Sequence, residues 1–185
     1  MNKEFTSGES WNSASVAGLA MAALTIALQL LSGLCGKVGG VAGGFLGFIA
    51  LIAKVTICIY AFKALMKRFC DTHSDVDYPR LQRYGLKLAL FSSIIVAAFA
   101  VVELLLIKPD SVNEITEAFR SAYSSMMDSN AEAALEKMLP KMPLYMGIGN
   151  LIYCFLWGWI LSTVFARNLR SDNPFEDNEE PVDNQ

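Results

Sequence analysis

The chain has 185 residues, of which 54% are hydrophobic and 18% are charged, and its mean hydropathy is +0.38. Ordinary soluble domains are about 45–50% apolar and about 25% charged, so this composition disfavours a soluble globular protein. The formal net charge of −3 says little as a total, whereas the distribution of the charges along the chain is informative.

Four apolar runs are each long enough to cross a bilayer, since about 20 helical residues span a hydrocarbon core of about 30 Å. The runs are Ser13–Cys35, Val41–Phe62, Leu86–Ile107 and Leu144–Ala166. They predict an all-α fold, a four-transmembrane-helix bundle over residues 13–170. Residues 1–12 form a polar tail, and residues 171–185 form an acidic tail that is predicted to be disordered. The first run is interpreted as a retained anchor, because its apolar part exceeds the roughly 7–15 residues of a signal peptide.

Basic residues predict the orientation, because Lys and Arg near the ends of membrane segments stay in the cytoplasm. Placing both termini in the cytoplasm puts nine basic residues inside and five outside. The inner set is Lys3, Lys63, Lys67, Arg68, Arg80, Arg83, Lys87, Arg167 and Arg170, and the outer set is Lys37, Lys108, Arg120, Lys137 and Lys141. Two termini on one side require an even number of crossings, which agrees with four runs. The charges therefore predict a multi-pass membrane protein with both termini in the cytoplasm.

Small residues at four-residue spacing predict close approach between helices. The first run carries Ala14, Gly18 and Ala22. The connection to the second run and the start of that run hold two glycine rows, which are Gly36, Gly40 and Gly44, and Gly39, Gly43 and Gly47. Two interpretations remain open for these rows: a tight hairpin within the chain, or a face that packs against a second copy.

The segment 110–140 lies between the third and fourth runs and is the only sizeable part predicted outside the membrane. Ser111-x-x-Glu114 and Ser129-x-x-Glu132 match capping boxes, and apolar residues follow each at helical spacing. We therefore expect an extracytoplasmic amphipathic segment of two helices, either on the outer membrane surface or capping the bundle. Pro79 similarly predicts the start of the third helix.

The chain resembles the bacterial domain-of-unknown-function family 4199 of small four-helix inner-membrane proteins. Three features carry the resemblance over nearly the whole chain: the glycine-rich stretch Gly39–Gly47, the pair Tyr84-Gly85 before the third run, and the sequence KMPLYMGIG before the fourth. The resemblance implies a topology and a location in the bacterial inner (cytoplasmic) membrane, and it supplies no catalytic residues.

Four polar residues lie inside the apolar runs. Gln29, Glu103 and Asn150 occupy one layer, roughly 6–10 Å below the outer ends of their helices at 1.5 Å per residue, and Lys54 lies deeper. Ionisable groups at such depth cost at least about 2.5–3.5 kcal/mol and normally face a partner or a cavity. One interpretation is interhelical hydrogen bonding with Lys54 snorkelling, and the other is a small polar pocket or proton-sensitive site.

No cofactor, metal site or catalytic set is predicted. Asp71, His73, Asp75 and Asp77 alternate, but an EF-hand loop would need glycine and glutamate where Val76 and Gln82 stand, so a solvated turn is the simpler interpretation. The four cysteines, Cys35, Cys58, Cys70 and Cys154, have no metal or disulfide spacing. No nucleophile-and-base motif occurs, and the chain is not predicted to be an enzyme.

The predicted function is therefore an interaction role, an accessory or scaffolding subunit that packs against another membrane protein. The expected partners are the lipid bilayer and a membrane protein or a second copy, with no nucleic acid. The alternative is a small transporter or channel-like component that uses the intramembrane polar layer.

Overall fold

The structure, a computed structural model, describes residues 7–35, 41–73, 76–107, 110–123 and 129–171. These residues are almost entirely helical, with no strand among them. The α-helices are α1 (Ser7–Cys35), α2 (Val41–Thr72), α3 (Tyr78–Val102), α4 (Asp110–Tyr123), α5 (Ser129–Met138) and α6 (Met142–Ser171). A π-helical turn, Glu103–Ile107, continues α3, and a 3₁₀ turn, Leu139–Lys141, leads from α5 into α6.

The prediction of four long apolar helices is confirmed. The segments long and apolar enough to cross a membrane are Gly8–Gly33, Phe45–Thr72, Tyr78–Ile107 and Glu132–Leu169. All four helices extend beyond the predicted runs, and the added turns of α1 and α2 pack within the bundle. Helix α1 begins at Ser7, and Trp11 in its added turn packs edge-on against Phe91. Helix α2 continues past Phe62 because Met66 and Phe69 keep a helical stripe that is buried in the bundle.

Contacts along the helices define an up-down-up-down bundle. Helices α1 and α3 run parallel, since Lys87 bonds Ser10 at one end and Glu103 bonds Gln29 at the other. Helix α6 runs antiparallel to α3, with Gln82 bonded to Thr163 near its C-terminal end. Helix α3 is central and packs most extensively on α6 and α1, whereas α2 is held mainly by α1.

The hydrophobic core lies at one end of the bundle, where the N-terminal halves of α1 and α3 meet the C-terminal halves of α2 and α6. Phe69 stacks on Tyr84 with ring centroids 3.7 Å apart. The core cluster consists of Ala14, Ala17, Met21, Phe62, Met66, Phe69, Leu81, Tyr84, Leu88, Ala89 and Ala166. The site described below begins beside this core and extends toward the opposite end of the bundle.

Glycines bring α3 close to both of its main neighbours. A β-carbon on Gly18 of α1 would lie 2.6 Å from Cβ of Phe91, so the predicted small-residue face of α1 contacts α3 closely. On the α3–α6 interface, a β-carbon on Gly85 would collide with Ser162, one on Gly158 with Ala89, and one on Gly147 with Val101. The chain thus uses single glycines at several heights to bring helix backbones together.

The glycine rows before α2 have a different outcome. Gly36, Gly39 and Gly40 lie outside the described residues, and the surroundings of Gly43 and Gly44, in the first turn of α2, are also outside the description. Gly47 lies one turn further on, and a β-carbon there would meet nothing within 4 Å. Within the chain, the close approach expected from this row is absent at Gly47, because α2 contacts α1 further along its length, through Lys54 and Cys58. The alternative of a face that packs against a second copy stays a prediction.

Helices α4 and α5 occupy the predicted segment 110–140 and are helical as expected. Arg120 on α4 lies 4.0 Å from the carboxylates of both Glu132 and Glu136 on α5. The apolar side chains of α4 point outward, with Phe119 and Tyr123 45% and 47% exposed and their rings 4.6 Å apart. Helix α4 therefore has the amphipathic character that the sequence predicts.

Candidate functional site

Three of the four predicted polar residues meet in one hydrogen-bonded cluster. The amide nitrogen of Gln29 on α1 donates to Oε2 of Glu103 at 2.7 Å. The amide oxygen of the same Gln29 accepts from Nζ of Lys54 on α2 at 3.3 Å. Gln29 therefore bridges the carboxylate and the ammonium, and the cluster joins α1, α2 and the end of α3. We call Gln29, Lys54 and Glu103 the polar cluster.

The chemistry of the cluster follows from its side chains. A primary amide both donates and accepts, so it can satisfy an anion and a cation at once. Glu103 is only 7% exposed, and an ionised carboxylate buried to that degree needs hydrogen-bond donors to remain charged. Because the Gln29 side chain lies between them, Lys54 can lie deeper in the bundle than Glu103 and still belong to the same hydrogen-bonded network.

Glu103 stands where the helix geometry changes. It caps α3 and opens the π-helical turn that runs to Ile107. A π turn is rare, and it often appears at functional positions because it rotates the following side chains relative to a regular helix. Leu105 and Leu106 in this turn face outward and are 55% and 77% exposed, while Glu103 faces the bundle.

Asn150, the fourth predicted residue, is outside this cluster. Its Oδ1 accepts from Sγ of Cys154, one turn further along α6, at 3.4 Å. Asn150 nevertheless shares a cavity with Gln29 and Lys54. The predicted layer is therefore split into a bonded cluster on α1, α2 and α3 and a separate amide on α6 that faces it across a space.

That space is a cavity of about 230 Å³ between α1, α2, α3 and α6. Gln29, Lys54 and Asn150 line one end of it, and Met21, Phe62 and Leu161 line the other, next to the hydrophobic core. The walls between are mostly apolar. A cavity of this kind, apolar with a few convergent polar groups, is the usual form of a small-molecule site.

The residues of the cavity wall that sequence reasoning missed are small and weakly polar. Thr25, Cys58 and Cys154 line the cavity, and Oγ1 of Thr25 lies 3.8 Å from Sγ of Cys58. Each stands four residues from a predicted polar residue on its own helix: Gln29, Lys54 and Asn150 respectively. Since residues four apart share one helix face, these three pairs were the signal in the sequence that could have marked the faces lining a common space.

The alternating Asp-His segment after α2 forms no metal site among the residues that the structure describes, where no group of three potential ligands comes together. His73 packs its ring on Phe69 with centroids 4.7 Å apart, and its Nδ1 lies 3.0 Å from the Phe69 carbonyl oxygen. Asp75 lies outside the described residues.

Comparisons with protein-family models, curated proteins and solved structures find no match to this chain. The resemblance to the four-helix family therefore stays a prediction, and the functional argument depends on the geometry alone.

Proposed function

We propose that this chain is a multi-pass protein of the bacterial inner membrane that acts as an accessory or scaffolding subunit, packing against another membrane protein through α2. The observation that carries the proposal is the uneven burial of the four long helices. In the most apolar stretch of each helix, only 6% of the residues of α2 are buried, against 28% for α1, 22% for α3 and 17% for α6. Helix α2 is attached along one side and presents the rest of its surface outward.

The exposed side of α2 combines bulky and small residues. Phe45 and Phe48 are 67% and 62% exposed, and Gly47 between them has open space above its backbone. Lipid can cover such a surface, but a glycine with open space above its backbone also lets a partner helix approach closely. We therefore place the partner contact at the Phe45–Phe48 turn.

The orientation we propose keeps both termini in the cytoplasm. The ends of α2 and α6 and the start of α3 carry the basic residues Lys63, Lys67, Arg68, Arg80, Arg83 and Arg167, all at the same end of the bundle as the hydrophobic core. The α4–α5 segment then lies outside, with the exposed stripe of α4 toward the membrane surface. We assign no enzymatic activity to this arrangement.

The test compares two glycines that both face open space. Gly47→Leu on α2 and Gly149→Leu on α6 add the same side chain at two positions where a β-carbon meets nothing within 4 Å, and we expect both variants to keep the wild-type melting temperature. In a mild-detergent co-purification, Gly47→Leu should lose the partner and Gly149→Leu should retain it. Equal recovery with both variants, or recovery of this chain alone at every expression level, would contradict the proposal.

A second candidate function is favoured by the polar-ended cavity, and it corresponds to the transporter-like alternative. A half-buried lysine and glutamine that line a space of about 230 Å³, with the buried Glu103 bonded behind them, can recognise a ligand from within the membrane. The fully buried side chains of Met66, Leu81 and Leu88 fill the bundle beyond the cavity, so the arrangement is that of a binding site that ends at the core. This candidate is a ligand-binding component.

A further inference from the structure

We infer that the cavity binds a single-chain amphiphile with a small carboxylate head, the head on Lys54 and Asn150 and the chain along α2 and α6. This inference rests on the second candidate function, ligand binding, and is independent of the accessory role. It adds the chemical class of the ligand and its direction in the site.

The shape of the cavity favours a chain over a compact ring. Its lining extends from Lys54 to Phe62 on α2 and from Gln29 to Met21 on α1, eight residues in each case, or about 12 Å at 1.5 Å per residue. A dry cavity of roughly 150 Å³ is enough for benzene. At about 230 Å³ this cavity is only moderately larger, yet it extends over two turns of helix, so it is long and narrow.

The polar end of the cavity favours an acceptor with negative charge. An ammonium has three N–H donors, and the described residues occupy one of those of Lys54, through Gln29. Asn150 uses its oxygen for Cys154, which leaves its N–H groups to face the cavity. Of the two charged residues in the cluster, only Lys54 lines the cavity, while Glu103 is bonded on the far side of Gln29. The charge that a ligand meets is therefore positive.

The depth of the polar end favours a small head. Glu103 stands four residues from the end of its helical segment at Ile107, and Lys54 stands 13 residues beyond Val41, the first residue of α2. These offsets correspond to roughly 6 and 20 Å of helix rise. A phospholipid keeps its bulky headgroup at the interface, whereas a carboxylate can sink to this layer when a cation and an amide receive it.

The chain would enter sideways, between α2 and α6. These two helices make little contact with each other. Three residues that line the cavity, Val55, Tyr153 and Trp157, are also 44%, 60% and 44% exposed. An opening at this level faces the hydrocarbon of a bilayer, from which a single-chain amphiphile would be drawn.

Trp157 provides a reporter for the test, because the chain has only three tryptophans. Trp11→Phe with Trp159→Phe leaves Trp157 alone at the cavity, and Trp11→Phe with Trp157→Phe leaves Trp159, which is 49% exposed, as the control. Both proteins are reconstituted in phosphatidylcholine nanodiscs and titrated with a fatty acid brominated along its chain. We expect saturable quenching of Trp157 on top of a linear component, and linear quenching alone of Trp159.

Two substitutions in the Trp157 reporter locate the ligand. Cys58→Leu fills the middle of the cavity and should abolish the saturable component. Lys54→Met should weaken binding of the brominated acid about tenfold or more, the factor expected from one charge-assisted hydrogen bond, while binding of the brominated methyl ester changes less than about twofold. Melting temperatures of both variants near that of the parent establish that the fold is intact, and Lys54→Arg, which keeps the charge, should retain acid binding if Lys54→Met unfolds.

The outcomes separate the inference from the function beneath it. Saturable binding of acid and ester alike, unaffected by Lys54→Met, would overturn the carboxylate head while leaving a ligand-binding cavity. Saturation by brominated phosphatidylcholine in place of the acid would also overturn it, because the occupant would then be bilayer lipid. Linear quenching of Trp157 by every probe, unchanged by Cys58→Leu, would remove both the inference and the ligand-binding function.

Discussion

Gln29 is the residue on which the polar site depends, because it is neutral and yet satisfies two charges on two other helices. Its short bond to Glu103 is 2.7 Å and its longer one to Lys54 is 3.3 Å. Hydrogen bonds between membrane helices contribute about 0.6 kcal/mol on average and up to about 1.7 kcal/mol, but leaving a buried polar group without its partner costs about 1–3 kcal/mol. Removing one partner should therefore destabilise the protein by more than the free energy that the hydrogen bond itself contributes.

Glu103 is the position at which this asymmetry can be measured. Glu103→Gln keeps an oxygen that accepts from Gln29, and it should lower the free energy of unfolding by less than about 1 kcal/mol. Glu103→Leu removes every acceptor, so the amide nitrogen of Gln29 loses its partner while the amide oxygen keeps its bond to Lys54. This variant should lower that free energy by about 1–3 kcal/mol. Unfolding in a mild detergent, followed by circular dichroism, gives both values. Equal losses for the two variants would show that the carboxylate charge, rather than the bond, stabilises this end of the bundle.

At the scale of the helices, the α3–α6 interface holds the bundle together through complementary sizes. Gly85 of α3 receives Ser162 of α6, and Gly158 of α6 receives Ala89 of α3. The Ser162 hydroxyl in addition donates to the backbone oxygen of Gln82 at 2.8 Å. At each glycine, the space that a side chain would occupy is filled by the partner residue on the other helix. A methyl group added to the glycine therefore has no room unless the partner becomes smaller.

This size matching predicts a compensating pair. Gly158→Ala should destabilise the protein by about 1–3 kcal/mol, the usual cost of overpacking, even though alanine is the better helix former. Adding Ala89→Gly should recover a substantial part of that loss, since the pair then exchanges one methyl group across the interface. Gly149→Ala, on the open side of the same helix, is the control and should be neutral or slightly stabilising. If the loss of unfolding free energy in the double variant equals the sum of the losses in the two single variants, the interface is not tightly packed at this height.

At the scale of the whole molecule, the two ends of the bundle differ in construction. One end holds the large apolar core and most of the basic residues, whereas the other holds the polar cluster and the α4–α5 segment, with the cavity between them. If the basic end faces the cytoplasm, the polar cluster lies toward the outer side of the membrane and the cavity extends from it toward the cytoplasmic side.

Cysteine accessibility tests that orientation. In a chain whose four native cysteines are replaced, Glu117→Cys on the exposed side of α4 should react with an impermeant thiol reagent in intact cells stripped of any outer barrier. Asp71→Cys at the end of α2, which is also exposed, should react only after lysis. The opposite labelling pattern would show that the bundle is inverted, and labelling of both positions in intact cells would show that α3 does not cross the membrane.

The sequence by itself determined the elements of this protein. Length and apolarity marked four helices, Pro79 marked the start of α3, and the capping-box serine Ser129 marked the first residue of α5. These features are local, since helix length, proline geometry and capping depend on neighbouring residues along the chain. The polar layer was also visible, because buried charge is rare enough in an apolar run to stand out.

Only the tertiary structure decided which of these residues meet. Depth along a helix placed Gln29, Glu103 and Asn150 in one layer, but rotation about each helix axis decided that Gln29 bridges Glu103 to the deeper Lys54 while Asn150 faces them across the cavity. Likewise, the densest glycine rows drew attention to Gly47, whereas the close contacts that the structure shows involve Gly18, Gly85, Gly147 and Gly158. A glycine permits close approach without specifying its neighbour, and the neighbour is set by how four helices pack together.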